Sequence, residues 1–305
     1  MRGEHPALVD REKDPALVDR EIDPALVDRE KDPVLVDREA AVLRIRLNRP
    51  AVLNAMTDTL MGDLHAALMR AAKDPTVRAV LLSGEGRGFC AGADLAASGF
   101  VAPEAADMPQ PDPSSRSLPA AAVGEKLRTV FNPVILAMRT LPKPIVTAVN
   151  GVAAGAGMSL ALAGDIILCG ESATFLQAFS RIGLIPDAGS TWFLPRLVGD
   201  AKARALVMLA ERISAAEAER IGLVAKVVAD AELASFSMRT AQYLAGMPTA
   251  AYALSKQALH LSLGADLVEQ LEREAQLQTQ AAATEDSREG VRAFLEKRTP
   301  TFKGR

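Results

Sequence analysis

The sequence predicts an α/β chain of buried strands alternating with helices, ending in a helical region. Two patterns lead to this. From Ala40 to about Asp230, short apolar runs alternate with segments of helical period. From about Asp230 to Glu296 the pattern is helical throughout, with Leu254, Leu259, Leu261, Leu267 and Leu271 spaced among many charges. In front of both lies a different texture. Residues 1–39 carry seven Lys/Arg against twelve Asp/Glu (net −5) and no aromatic residue, although the whole chain of 305 residues has a net charge of only −3. The expected division is therefore a tail over 1–39, a core over 40–230 and a helical region over 231–305.

The tail is a nine-residue repeat. His5-Pro6-Ala-Leu-Val-Asp-Arg-Glu12 recurs from Asp14-Pro15, Asp23-Pro24 and Asp32-Pro33. Each Asp-Pro can start a helical turn, and the next proline stops it. Three apolar residues per unit are too few to offset the entropy of ordering, so a disordered extension is expected. The alternative is a docking element for a partner.

Ala41 to Leu47 alternates as a strand does, and Asn48-Arg49-Pro50 ends it. Leu60, Leu64, Leu68 and Ala71 then mark one helix face, with Thr57 placed to cap it. Val77 to Leu82 is a second strand, and residues 83–88 form a glycine-rich loop. Residues 102–119, rich in Pro, Ala, Ser and Asp, are expected to be a mobile insertion. A helix follows from about Ala122 to Arg139, with Pro133 as a kink. Pro144 to Val149 and Asp165 to Cys169 are further strands.

Several function classes are excluded early. The near-neutral charge provides no field for nucleic acid or an anionic membrane. The uncharged run Pro144 to Gly164 is 21 residues long, but its four glycines and polar residues read as buried core around a turn, not a membrane span. Two cysteines, Cys90 and Cys169, and no apolar leader make a reducing cytoplasm the expected setting. No Cys/His cluster suggests a metal. Gly84-Glu-Gly86-Arg-Gly88-Phe89 lacks the last glycine of a dinucleotide fingerprint, and no P-loop lysine pattern occurs. Only His65 and His260 lie outside the tail, both in helical stretches, so a serine-histidine triad is disfavoured.

Three clusters remain. In Gly151-Val-Ala-Ala-Gly155-Ala156-Gly157, a strand meets an apolar helix through a glycine turn. The free N–H groups of that helix start can receive an anion or a developing oxyanion, although the same run also reads as a tight packing turn. Phe89-Cys90-Ala91-Gly92-Ala93-Asp94-Leu95 is a second loop with free N–H groups, in which Cys90 reads as a small buried residue. In Arg181 to Trp192, Asp187 sits among Leu184, Ile185, Pro186, Trp192 and Phe193. Burial there would raise its pKa towards use as a general acid/base. On the residues alone, Asp187 reads first as the cap of a helix starting at Ala188.

These clusters, in this order, resemble the crotonase (enoyl-CoA hydratase/isomerase) superfamily. The similarity extends over about residues 40–305 and includes Arg49 to Asn54 and Ser287 to Arg298. It implies a spiral of ββα units with a helical C-terminal trimerisation region, assembled as a trimer or hexamer. It also implies an acyl-CoA thioester as substrate and no cofactor beyond the coenzyme A of the substrate. The thioester oxygen would be held by the N–H groups of Ala93 and Ala156. Ala91, Gly92, Asp94, Leu95, Gly155, Gly157, Phe179, Trp192 and Lys297 would surround the substrate, with Lys297 reaching the nucleotide end. The lysine that many members carry at position 51 is an alanine here.

The two glutamates with which hydratases handle water fall on Ser159 and Phe179, and neither can activate water. Asp187 stands where the family's isomerases place their acid/base. The stretch Ala178 to Trp192 is similar to the isomerases of ring-1,2-epoxyphenylacetyl-CoA, whose product is oxepin-CoA in phenylacetate breakdown. The resemblance therefore implies isomerisation with Asp187 as catalytic residue. Isomerisation of 3-enoyl- or dienoyl-CoA, hydration, and non-catalytic binding of a CoA ester remain the alternatives.

Overall fold

The computed structural model describes residues 32–95 and 120–305. Two sheets grow in parallel along the chain. Strands β1 (Val34–Glu39), β2 (Val42–Leu47), β3 (Ala79–Gly84), β5 (Ile145–Val149), β7 (Ile166–Gly170) and β10 (Lys226–Val228) lie side by side in that order. The second sheet has the order β4 (Gly88–Cys90), β6 (Val152–Ala154), β8 (Thr174–Leu176), β9 (Ile213–Ser214). Each unit lays one strand in the first sheet, turns, lays the next in the second, and leaves through a helix. Thus β3 and β4 lead to α2 (Ala120–Lys126) and α3 (Asn132–Thr140), β5 and β6 to α4 (Ala156–Leu162), and β7 and β8 to α5 (Ser190–Val198). All pairings are parallel except β1 with β2 and β8 with β9. This is the expected spiral of ββα units.

The central strands are covered on both faces, which explains their continuous apolar runs. Val80 and Leu82 of β3 enter the main core with Leu60, Leu64 and Leu68 of α1 (Asp58–Lys73). Leu81, between them, points to the opposite face with Val146 and Leu168, against Leu233, Phe236 and Leu244 of α8 (Asp230–Gly246). Thr57 caps α1 as expected, accepting the Leu60 N–H. Between α2 and α3 the chain forms one π-helical turn, Leu127–Phe131, just ahead of Pro133. The expected insertion at 102–119 lies outside the described residues, as does the tail before residue 32.

One boundary differs from expectation. Residues 34–39, assigned to the disordered tail, form strand β1. The last repeat copy is followed by a turn at Ala40, with φ of 51°, and by β2, so it has a partner to pair with. Asp37 faces Arg44 across the ladder and binds it at 2.6 Å and Arg46 at 2.9 Å, while Arg46 also pairs with Glu85. Val34 is buried in the main core.

Beyond α8 come α9 (Thr249–Ser262), α10 (Leu267–Ala282) and α11 (Glu285–Glu296). Lys256 fastens α9 to the body, donating to the Met138 carbonyl at 2.8 Å and pairing with Asp165 at 2.7 Å. Little of these three helices is buried, and Val268 and Phe294 are 79% and 82% exposed. No helix among the described residues is long and apolar enough to cross a membrane.

Removing residues 1–39 deletes β1, and removing only 1–31 retains it. The shorter chain is expected to melt about 5–10 °C below the chain that begins at residue 32. Equal melting temperatures would show that the β1 ladder contributes nothing.

Candidate active site

The loop from Arg49 to Asn54 is the platform on which the first donor loop rests. Asn54 is fully buried with a left-handed backbone, φ of 57°. Its side chain accepts from the Arg49 N–H at 2.7 Å and donates to the carbonyls of Glu85 and Gly88 at 2.9 and 2.8 Å. Ala91 then donates its N–H to Leu53 O, Met56 donates to Gly92 O, and Asp94 donates to Met56 O. Gly92 O and Asp94 N both face Met56. In extended backbone the N–H of Ala93, between them, faces the other way.

The second donor loop runs from β6 into α4. Gly155 has φ 51° and ψ −128°, a region closed to side chains with a Cβ. That conformation turns the chain so that Ala156 opens α4, where the first N–H groups have no intrahelical acceptor. The two loops touch: a Cβ on Gly92, with φ of 105°, would lie 2.9 Å from Ala154 O and 3.7 Å from Ala156 N. Ala93 and Ala156 both line one space.

That space is a cavity of about 300 Å³. Its lining contains Ala91, Gly92, Ala93, Leu95, Gly155, Ala156, Phe179 and Asp187, eight of the residues singled out from the sequence. Asp187 is the one carboxylate among the described residues of the lining. Its Oδ1 is buried with no hydrogen-bond partner. Burial pushes its carboxyl up to about 6. Asp187 does not cap a helix, because α5 starts at Ser190 with Gly189 as its N-cap residue. The turn between, Ala188-Gly189, is left-handed at both residues, with φ of 48° and 86°. Cys90 is buried and its thiol is pushed up to about 12 by burial, as befits a packing residue.

Four expected contacts fall elsewhere. The Asp94 carboxylate pairs with Arg49 at 2.8 Å and is not on the lining. Gly157 also stays off it, because its Cα packs against the Cys90 carbonyl, where a Cβ would come within 2.2 Å. Trp192 stacks against His260 at 5.4 Å, with the Arg196 guanidinium 4.2 Å over its ring. Lys297 is the exposed, left-handed residue that ends α11, away from the cavity of its own chain. Sequence reasoning also missed residues the cavity uses. Leu127 and Phe131 reach it from the π-helical turn, and Lys126 and Arg181 bring cations to its lining. Lys126 pairs with Asp58 at 2.6 Å, and Arg181 donates to Ala210 O at 2.6 Å. Among the described residues no group of three His, Cys, Asp or Glu is placed to hold a metal ion.

The model of the enoyl-CoA hydratase/isomerase family matches residues 37–305. The chain belongs to this crotonase family, whose members are acyl-CoA hydratases and isomerases. It is 42% identical over 264 residues to the 1,2-epoxyphenylacetyl-CoA isomerase of Escherichia coli K12, covering 87% of this chain and 95% of that one. It is 44% identical over 261 residues to a probable enoyl-CoA hydratase of Rhodobacter capsulatus, covering 86% and 94%. Among solved structures, the enoyl-CoA hydratase of Bacillus anthracis superposes with a TM-score of 0.79 at 33% identity, covering 90% of this chain and 100% of that one. Relatives named as isomerase and as hydratase are thus equally similar. The distinction has to come from the residues of the site.

The raised Asp187 carboxyl has a thermodynamic signature. Its proton is held more tightly in the folded than in the unfolded chain. That contribution to stability is complete below about pH 4 and is lost as pH rises through about 6. Asp187→Asn is therefore expected to raise the Tm relative to wild type at pH 8 and to change it little at pH 4. Thermal unfolding at both values checks this, and a difference independent of pH would contradict a buried, unpaired carboxyl.

Proposed function

We propose that the chain is a cofactor-independent isomerase of acyl-CoA thioesters, with ring-1,2-epoxyphenylacetyl-CoA as the preferred substrate and oxepin-CoA as product. The observation that carries the reading is Asp187, the single carboxylate among the described residues of the lining. Hydration in this family uses two glutamates, and their positions hold Ser159 and Phe179 here. Ser159 is fully buried and occupied with carbonyl groups, and Phe179 presents a ring beside Gly155. Neither activates water. One carboxylate among the described residues of a largely apolar lining suits an internal proton transfer instead.

In this mechanism the N–H groups of Ala93 and Ala156 receive the thioester oxygen, and enolate charge develops on it as C2 loses a proton. One such donor lowers the barrier by about 3 kcal/mol. In the ring epoxide, the carbon–carbon bond shared by the epoxide and the six-membered ring opens and its electron pair joins the ring π system, giving the seven-membered oxepin. Asp187 takes the C2 proton and returns it further along the acyl group, so substrate and product have the same atoms. A carboxyl near 6 can both accept and return a proton at neutral pH. The same steps would move a 3,4 double bond to the 2,3 position. The similarity to the E. coli isomerase supports the ring-epoxide substrate.

Asp187→Asn is expected to lower isomerisation about 10²–10⁴-fold with little change in CoA-ester binding. Incubating wild type and variant with a panel of acyl-CoA thioesters in deuterated water, with products and label position read by mass spectrometry, tests this. Undiminished turnover by the variant, or hydrated product from 2-enoyl-CoA, would sink the isomerase reading.

The same reading extends to assembly. The exposed apolar side chains of α9 to α11 form a face suited to a homotrimer or hexamer, and Lys297 would serve the CoA nucleotide of a neighbouring subunit. Light scattering is expected to give a mass of three or six chains. A monomer mass would remove both the assembly and the role of Lys297.

A further inference from the structure

Among the described residues, the Asp187 Oδ1 is buried without a hydrogen-bond partner. Its position is set from the backbone. The Asp187 carbonyl accepts two hydrogen bonds, from the Ser190 N–H at 3.1 Å and from the Ser159 hydroxyl at 2.9 Å. Ser159 lies in α4, three residues beyond the Ala156 donor, and its Oγ is also 3.3 Å from Gly155 O. Behind it, the Ser190 Oγ lies 2.7 Å from the Ser159 Oγ and accepts from Gln177 Nε2 at 2.9 Å. Ser159, Ser190 and Gln177 are each 1% exposed or less.

One direction gives both hydroxyl protons an acceptor while Ser190 accepts from Gln177: Ser159 donates to Asp187 O, the nearer of its two carbonyls, and Ser190 donates to Ser159. The result is a directed, buried relay, Gln177 to Ser190 to Ser159 to the Asp187 backbone. It ties the turn that presents the Ala156 N–H to the residue that presents the carboxyl. Fixing the backbone leaves Oδ1 of the carboxylate without a donor among the described residues. A donor on the carboxylate would stabilise the anion and weaken the base.

We propose that Ser159, oriented by Ser190 and Gln177, is the positioning residue that fixes the Asp187 carboxyl relative to the Ala93 and Ala156 donors. This rests on Asp187 being the acid/base of the proposed isomerisation. A misplacement of about 1 Å at a reacting group can cost on the order of 10²-fold.

The test follows isomerisation of a 3-enoyl-CoA as a function of pH. In Ser159→Ala, kcat is expected to fall about 10–100-fold with KM within about threefold. The acid limb of kcat/KM, which reports the carboxyl of the free enzyme that burial raises to about 6, is expected to move down towards the ordinary carboxylate range, because a loosened carboxyl reaches water. Ser190→Ala leaves Ser159 its own hydroxyl and is expected to shift both readouts the same way by a smaller factor. It carries the test if Ser159→Ala is recovered unfolded. A folded variant that loses thermal stability but keeps the wild-type kcat and acid limb would overturn the proposal, reducing the relay to packing. Asp187→Asn is run in parallel. Full activity there removes the isomerase reading itself, whereas an inactive Asp187→Asn beside an unaffected Ser159→Ala removes only the role of Ser159.

Discussion

The cavity depends on how closely helix α4 approaches strand β4. The Cα of Gly157 lies against the Cys90 carbonyl so tightly that a Cβ would come within 2.2 Å of its oxygen. Gly151 packs in the same way against the Arg87 carbonyl, one strand end away. These two contacts let β4 and β6 and the turns after them lie in backbone-to-backbone contact. At that separation Ala93 and Ala156 line one cavity. A methyl group at either glycine would push the loops apart before it touched any ligand. Gly157, expected to line the substrate, serves it indirectly by setting this distance.

Asp187 shows the cost that goes with the same compactness. A carboxyl buried without a partner destabilises the folded chain at neutral pH, and the left-handed Ala188 beside it adds strain of about 1–2 kcal/mol. Both are tolerated because the surrounding backbone is over-determined. The Asp187 carbonyl holds two donors, and Gly189 lies against the Phe193 ring, where a Cβ would come within 2.6 Å. The energy of the well-packed core offsets the stability that this local arrangement costs.

The features legible in the sequence were those whose cause is local. The strands showed as continuous apolar runs because both of their faces are covered. Thr57 showed as a cap, and the glycine turns showed as places of close approach. Asp187 stood out by its apolar setting, although the cap reading had more local support. The rest depended on partners distant in sequence. Asp94 is turned from the cavity by Arg49, 45 residues earlier. The hydroxyl of Ser159 meets a carbonyl 28 residues later. Trp192 is drawn to His260 on α9. Leu127 and Phe131 reach the cavity through a π-helical turn that no spacing rule announces.

Strand β1 makes the same point about context, with a consequence of its own. Its Leu-Val-Asp-Arg-Glu core also occurs in each of the three preceding copies. What distinguishes the last copy is the Ala40 turn and the β2 strand behind it. A change in the number of these units would alter the chain in whole steps of nine residues. After the loss of one step the preceding copy would stand before the same turn, with the aspartate again opposite Arg44. Only the buried Val34 would change, to the alanine of that copy. The edge of the sheet is thus buffered against length variation in the gene. The number of copies can drift while the register of the enzyme body stays fixed.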